Sequence, residues 1–412
     1  MPAGARSISM RVAGMLERSR SRVAWFRKGS ETARDVKTDE LHKVVPKKPL
    51  DGYLSKILNA NVYDVAAETP LQKAVNMTNL LKNTVLLKRE DLQPVFSFKI
   101  RGAYNKMKGL DEEALGRGVV ACSAGNHAQG VGLSASTLGV RATMVMPVTT
   151  PLIKVRAVRQ HGGPMATFRL HGKNYDEAAA EAERLAEEEG LTLVHPFDDP
   201  EVIAGQGTIG MEILQERNGQ PLDAIFCCVG GGGLMAGVAA YVKQVRPAVK
   251  VIGVEAEGAA GMTASLRAGR VVTLPQVGMF ADCAAVRRTG DETFRLANEY
   301  VDDMVTVSND EICQAIKLGF NDTRCIMEPA GAMAIAGMRR YIWENGLINQ
   351  TLAAVASGAN MDFESLRFVS ERANAPSPNR PVPGQPEVTK TPAKPGLGHV
   401  GAFPELYGAV AA

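Results

Sequence analysis

Apolar residues in the middle of the chain fall into short runs separated by longer amphipathic stretches. T-V-L-L-K (84–88), V-R-A-T-M-V-M (140–146), D-A-I-F-C-C-V (223–229) and K-V-I-G-V-E (250–255) predict strands. Residues 175–189 carry Ala178, Ala182 and Leu185 at helical spacing, with acidic residues on the other face. A second helix is expected over 235–246, directly after the third strand. Short apolar strands alternating with helices predict an α/β fold with parallel sheets covered on both sides. No internal repeat is evident. No apolar run reaches the roughly 18 residues that would suggest a membrane span.

The pattern fails at both ends. Residues 1–48 hold twelve Arg or Lys against five Asp or Glu. Arg11, Arg18 and Arg22 fall on one side of a helical wheel, and Val12, Met15, Val23 and Phe26 near another. An Arg-rich, Ser-containing, acid-poor amphipathic segment has the composition of an organelle transit peptide, with a plain basic tail as the alternative. A plastid is the first expectation for localisation, ahead of mitochondrion or cytoplasm. From 373 to 401 proline and polar residues dominate, as in P-S-P-N-R-P-V-P-G-Q-P (376–386), before a short apolar end at 402–412, and a disordered tail is expected over 373–412.

Composition changes this picture little. The 412 residues are 45% hydrophobic and 22% charged, with a formal net charge of +3. Because the N-terminal segment is so basic, the remaining body is mildly acidic, which argues against a nucleic-acid partner. The six cysteines, Cys122, Cys227, Cys228, Cys283, Cys313 and Cys325, form no C-x-x-C pair. They read as reduced, mostly buried small hydrophobes in a reducing compartment.

Four segments carry candidate chemistry. Gly230, Gly231, Gly232 and Gly233 followed by Leu234 lie between a predicted strand and a predicted helix. Each glycine costs roughly 0.5–1 kcal/mol relative to alanine, so the run needs a reason. Backbone N–H groups wrapping a phosphate at a helix N-terminus supply one, and a tight turn is the plainer alternative. S-F-K-I-R-G-A (97–103) sets Lys99 among apolar residues, where a lysine can lose its proton and attack an aldehyde. Together with a phosphate cradle, that chemistry suggests pyridoxal 5′-phosphate. C-S-A-G-N-H-A-Q-G (122–130) presents Ser123, Gly125 and Asn126 at a helix start, as carboxylate donors or as an ordinary cap. His127 reads as a structural hydrogen-bonding residue rather than a base. In S-G-A-N (357–360), Ser357 ends an apolar run and could cap a helix or meet a ring nitrogen.

These four motifs, in this order and spacing, resemble the threonine dehydratase (threonine deaminase) family, over about residues 50–372. V-E-A-E (254–257), G-D-E-T-F-R-L (290–296) and M-E-P-A-G-A (327–332) resemble its biosynthetic, isoleucine-pathway branch. The resemblance implies a fold-type II pyridoxal-phosphate enzyme, similar to the tryptophan synthase β subunit, with two open twisted, parallel-rich sheets. It implies a large cofactor-binding subdomain over 49–119 and 198–372 and a small subdomain over 120–197. Lys99 resembles the Schiff-base lysine and the base at the substrate α-carbon, with Phe98 packed near the cofactor ring. Asn126 would bond the cofactor 3′-oxygen, Gly230 to Leu234 its phosphate, and Ser357 its ring nitrogen. Ser123, Ala124, Gly125, Asn126 and His127 would receive the substrate carboxylate, with Glu328 near ring and substrate.

The implied reaction is dehydration and deamination of L-threonine to 2-oxobutanoate and ammonia, with L-serine giving pyruvate. The implied assembly is a homodimer or homotetramer. A catabolic serine/threonine dehydratase, a serine racemase-like enzyme and a non-catalytic cofactor-binding protein are the alternatives. Racemase relatives carry a second serine where this chain has Ala124, so elimination is expected over racemisation. The chain departs from the pattern at Cys283, where the family usually has glycine, and crowding near the substrate is expected there. It also has Gly261 where racemase relatives place a metal-binding aspartate, so no divalent site is expected, with a monovalent ion left open. The Pro-rich tail stands where biosynthetic relatives continue into ACT-like regulatory domains, and insensitivity to isoleucine is the corresponding expectation.

Overall fold

The computed structural model describes residues 52–374. The expected transit segment and all but the first residues of the expected Pro-rich tail lie outside them. Ten strands are present among these residues: β1 (Leu71–Lys73), β2 (Thr84–Arg89), β3 (Val119–Cys122), β4 (Ala142–Met146), β5 (Ala166–Leu170), β6 (Thr192–Leu193), β7 (Ala224–Cys228), β8 (Lys250–Ala256), β9 (Asp303–Val307) and β10 (Thr351–Ala356). The four strands expected from the apolar runs match β2, β4, β7 and β8 to within about two residues. They form a six-stranded sheet in the order β1-β2-β10-β7-β8-β9 and a four-stranded sheet in the order β5-β4-β3-β6. Every pairing is parallel except that of β1 with β2.

The strand order decides where function can sit. β10, the last strand in sequence, inserts between β2 and β7, with Ala356 opposite Arg89 and Ala354 opposite Phe226. The carboxyl ends of β2, β10 and β7 therefore lie side by side. In open α/β sheets, ligands bind beyond such ends, where the strand order reverses.

Five helices bear on this edge: α1 (Lys99–Lys108), α2 (Asn126–Leu138), α3 (Pro200–Arg217), α4 (Gly233–Val245) and α5 (Pro329–Asn345). α3 packs between α1 and α4, and α1 also packs on α2. The crossings are tight because glycines meet backbone. A Cβ on Gly205 would stand 2.7 Å from Gly102 Cα, and one on Gly237 would stand 2.4 Å from the Ile203 carbonyl. α1 is also shared between layers, because Ala103 and Met107 join the core of the four-stranded sheet. The amphipathic helix Tyr175–Glu189 forms where expected, but not all its acids face water. Glu181 is buried and held by Arg184 and Arg169.

A fully buried ionic cluster fixes the start of α1. Arg101 forks onto Glu90, with Nε to Oε2 at 2.7 Å and Nη2 to Oε1 at 2.8 Å. Its Nη1 also reaches Glu212 Oε1 on α3 at 2.5 Å. Lys88, from β2, donates to Glu212 Oε2 at 2.5 Å, and the Thr69 hydroxyl donates to Glu90 at 2.6 Å. Burial pushes the Glu90 carboxyl up, but the adjacent guanidinium outweighs it and the net shift is downward. Arg101→Ala removes the charge that both carboxylates share. It is expected to lower the unfolding free energy by about 3–5 kcal/mol, measured by urea denaturation, because a carboxylate is left buried and uncompensated.

Candidate active site

The end of β10 is the hub. Beyond Ala356 the chain runs through Ser357, Gly358, Ala359 and Asn360, bonding two other segments by backbone. Ser357 O accepts from Phe98 N–H at 3.2 Å, and Ala359 N–H donates to Phe96 O at 2.8 Å. On the other side, Gly358 O accepts from Glu328 N–H, and Ser357 N–H donates to Gly331 O. The segment before Lys99 and the segment before α5 are thus tied to one short loop.

Lys99 is the first residue of α1 and is half-buried. Its Nζ donates to the Pro196 carbonyl at 2.6 Å and lies 5.4 Å from the Phe98 ring centre. Burial brings its pKa down to about 8, against the opposing pull of Cys228, Cys283 and Glu328. A minor but usable fraction of the amine, roughly a tenth at pH 7, is therefore neutral, as a nucleophile or base requires.

Gly230 to Gly233 leave β7 and enter α4. Gly232 is the N-cap at φ +102°, in the left-handed region. A Cβ on Gly231 would sit 2.2 Å from the Phe197 ring, so the loop needs glycine for close approach as well as for its turn. Thr293 Oγ1 pins it by donating to Gly231 O at 2.6 Å. Leu234 is buried in the first turn of α4. The first N–H groups of a helix have no intrahelical acceptor, so this glycine turn presents donors to an anion.

Ser357 is buried and does not cap a helix. Its Oγ lies 3.1 Å from Cys228 Sγ and 3.3 Å from the Ala330 carbonyl that accepts from it. Asn126 is held at both ends, donating from Nδ2 to Glu328 Oε1 at 2.6 Å and accepting at Oδ1 from Asn360 Nδ2 at 2.6 Å. Burial pushes the Glu328 carboxyl up to about 7. Cys283 Sγ stands 3.4 Å from Glu328 Oε2, and 3.5 Å from where a Cβ on Gly125 would lie. Cys283 therefore bears directly on the Ser123–His127 loop.

In that loop the Ser123 hydroxyl accepts from Gly125 N–H at 3.2 Å. Ala124 packs against the core of the four-stranded sheet. His127 is buried, with Nε2 donating to the Val194 carbonyl at 2.7 Å. Its Nδ1 is buried without a hydrogen-bond partner among the described residues. Burial, then the charge of Lys99, pushes its pKa down to about 3. Glu255, buried at the end of β8, accepts from Met262 N–H, Thr263 N–H and Thr263 Oγ1.

The donor set fits pyridoxal phosphate. It offers an amine that can be neutral, a glycine turn at a helix N-terminus, and a hydroxyl beside a protonated thiol. Pro196, Phe197, Cys228, Thr293 and Asn360 were not singled out by sequence. Pro196 acts through its carbonyl, which leaves no signature. Cys228 is indistinguishable from a core residue within its apolar run, and Asn360 lies inside a quoted motif without an assigned partner.

The family model described as pyridoxal-phosphate dependent enzyme matches residues 62–358. The chain is 60% identical over 321 residues to the L-threonine dehydratase biosynthetic IlvA of Burkholderia multivorans, covering 78% of this chain and 63% of that protein. It is 54% identical over 344 residues to the chloroplastic biosynthetic threonine dehydratase of Arabidopsis thaliana, covering 84% and 57%. Among solved structures, the processed form of threonine deaminase isoform 2 from Solanum lycopersicum superposes with a TM-score of 0.75 at 48% identity. That match covers 84% of this chain and 96% of the other. The chain thus spans about six-tenths of the two full-length relatives.

The His127 environment generates a test of sign. The folded state resists protonating His127 down to about pH 3, whereas the unfolded chain takes the proton near pH 6.5. Its contribution is complete above the unfolded value and is lost as pH falls below it. Urea midpoints measured from pH 7 to 4 are expected to fall more steeply in the native protein than in His127→Gln.

Proposed function

The chain belongs to the pyridoxal-phosphate dependent enzymes and, among them, to the threonine dehydratases. From that membership we propose that it converts L-threonine to 2-oxobutanoate and ammonia, and L-serine to pyruvate, as the first step of isoleucine biosynthesis. The observation that carries this reading is the half-buried Lys99 amine, held by the Pro196 carbonyl and lowered to about 8, on a segment whose Phe96 and Phe98 bond the Ser357 loop by backbone.

When bound, pyridoxal phosphate supplies an aldehyde for Lys99 and an electron sink for charge developing at the substrate α-carbon. The Gly230–Leu234 turn holds the phosphate with backbone N–H groups. Ser357 serves the ring nitrogen with a hydroxyl, and a hydroxyl leaves that nitrogen neutral. Phe98 packs near the ring. Asn126 is held by Glu328 and Asn360, and its remaining Nδ2–H would serve the 3′-oxygen. Backbone and hydroxyl donors from Ser123 to His127 take the substrate carboxylate. Lys99 removes the proton from the α-carbon, and its lowered pKa keeps a working fraction neutral. At Ala124 the methyl group supplies no second acid or base, which favours elimination over racemisation.

The same proposal includes a homodimer or homotetramer. Exposed Leu152 and Ile153 in the first turn of the helix Leu152–Gly162, with Val148 in the loop before it, support self-association. It also includes import into a plastid, supported by the Arg-rich, acid-poor composition of residues 1–48 and by the chloroplastic Arabidopsis relative. Among the described residues no helix is long and apolar enough to cross a membrane.

The purified protein with added pyridoxal phosphate is expected to show the cofactor's visible absorbance and to release 2-oxobutanoate from L-threonine. Lys99→Ala should lose that absorbance band and nearly all turnover. Retained turnover in the variant, or none with threonine or serine in the native protein, contradicts the reading.

A further inference from the structure

Cys283 lies in the short turn Asp282–Ala284, against the Ser123–His127 loop. Its sulfur is 3.4 Å from Glu328 Oε2. The other oxygen, Oε1, accepts from Asn126 Nδ2. Which end of the Asn126 amide points there is settled by Asn360, whose Nδ2 donates to Asn126 Oδ1. Oε1 must therefore act as an acceptor. Oε2 is left with the thiol as its hydrogen-bond partner among the described side chains.

A buried carboxylate that lacks a donor on one oxygen is strongly disfavoured. Glu328 is only 2% exposed. We propose that Cys283 is a positioning residue: its S–H donates to Glu328 Oε2, favouring the ionised carboxylate and holding it correctly turned for Asn126. This goes beyond crowding of the pocket, because it assigns the thiol a donor's role.

The other charges around Glu328 agree with a carboxylate in balance. Lys99 on α1 and Lys154, from the helix Leu152–Gly162, favour its ionised form. Asp282, paired to Lys154 at 2.6 Å, opposes it, and Cys228 at the end of β7 faces it as a neutral thiol. Burial is the largest influence and disfavours charge. The Cys283 thiol is itself raised well above its ordinary value, by burial first and then by Glu328, so it keeps its proton to donate. The loss of one donor thus decides the state of Glu328 within the working pH range.

The activity arm of the test rests on the threonine dehydratase reading; a spectroscopic arm does not. In the cofactor-loaded full chain labelled with δ-¹³C glutamate, the Glu328 carboxyl signal is assigned with Glu328→Gln and titrated against pH. Cys283→Ala is expected to raise its midpoint by roughly half to one pH unit, and Cys283→Ser to restore it by supplying an O–H donor. The acid limb of kcat/KM should move in the same way. An unmoved carboxyl midpoint in Cys283→Ala overturns the proposal. So does a Cys283→Ser midpoint equal to that of the alanine variant, because space rather than donation would then be responsible. A midpoint that moves as expected in a protein without dehydratase activity upholds the proposal and overturns the functional reading instead.

Discussion

The buried fork of Arg101 onto Glu90 and Glu212 is the constraint on which the candidate site depends. It joins three elements: the turn after β2, the first turn of α1 just 11 residues on, and α3, whose Glu212 is 111 residues from Arg101. A buried ion pair of this kind is weak evidence for net stability, since desolvation offsets much of its attraction. Its value here is geometric. Five donors in a rigid plane meet two carboxylates, which leaves α1 little freedom to rotate or slide. Lys99 stands two residues before Arg101, so its amine inherits that fixed position. Lys88 completes the charge balance at Glu212.

Around the fixed amine, the protein lets burial rather than charge pairing set protonation. Lys99 meets a carbonyl, at Pro196, instead of a carboxylate. Glu328 meets an amide and a thiol, not a cation in direct contact. Both groups are drawn toward neutrality from opposite sides, one down to about 8 and the other up to about 7. The fully buried ion pairs lie elsewhere, in the Arg101 cluster and in the Arg89–Asp91 pair. This division suits a site where protons must move: a carboxylate fixed on an arginine cannot titrate near neutral pH, whereas a carboxyl held by uncharged donors can.

The glycines serve geometry at two scales. At Gly205 and Gly237 they let α3 approach α1 and α4 until backbone meets backbone. Between β7 and α4 they allow one left-handed residue and a close pass beneath Phe197. Phe197 follows Pro196, the residue that receives the Lys99 proton donor. The segment that crowds the glycine turn therefore also holds the lysine, and the two halves of the site are spaced by a single stretch of chain.

Much of this could be read from local pattern. Apolar runs marked the strands because a strand buried on both faces must be apolar throughout. Gly230 to Gly233, Lys99, Asn126 and Ser357 stood out because each broke a local expectation, or matched a family motif in order and spacing. Helical periodicity also located the helix Tyr175–Glu189, though not the burial of Glu181, whose cost is met by arginines outside any local pattern. Pairing was illegible. Nothing in the sequence says that β10 inserts between β2 and β7, since strand order is settled by which apolar faces pack together across more than a hundred residues. Nor does it say that Cys283 reaches Glu328, that Asn360 orients Asn126, or that the Pro196 carbonyl takes the lysine. The sequence by itself determined the motif groups of the candidate site, because each stands out locally, but not the partners such as Pro196 and Cys228 that complete it. Tertiary structure alone decided their protonation and orientation, because both depend on burial and on partners brought close only when distant segments pack.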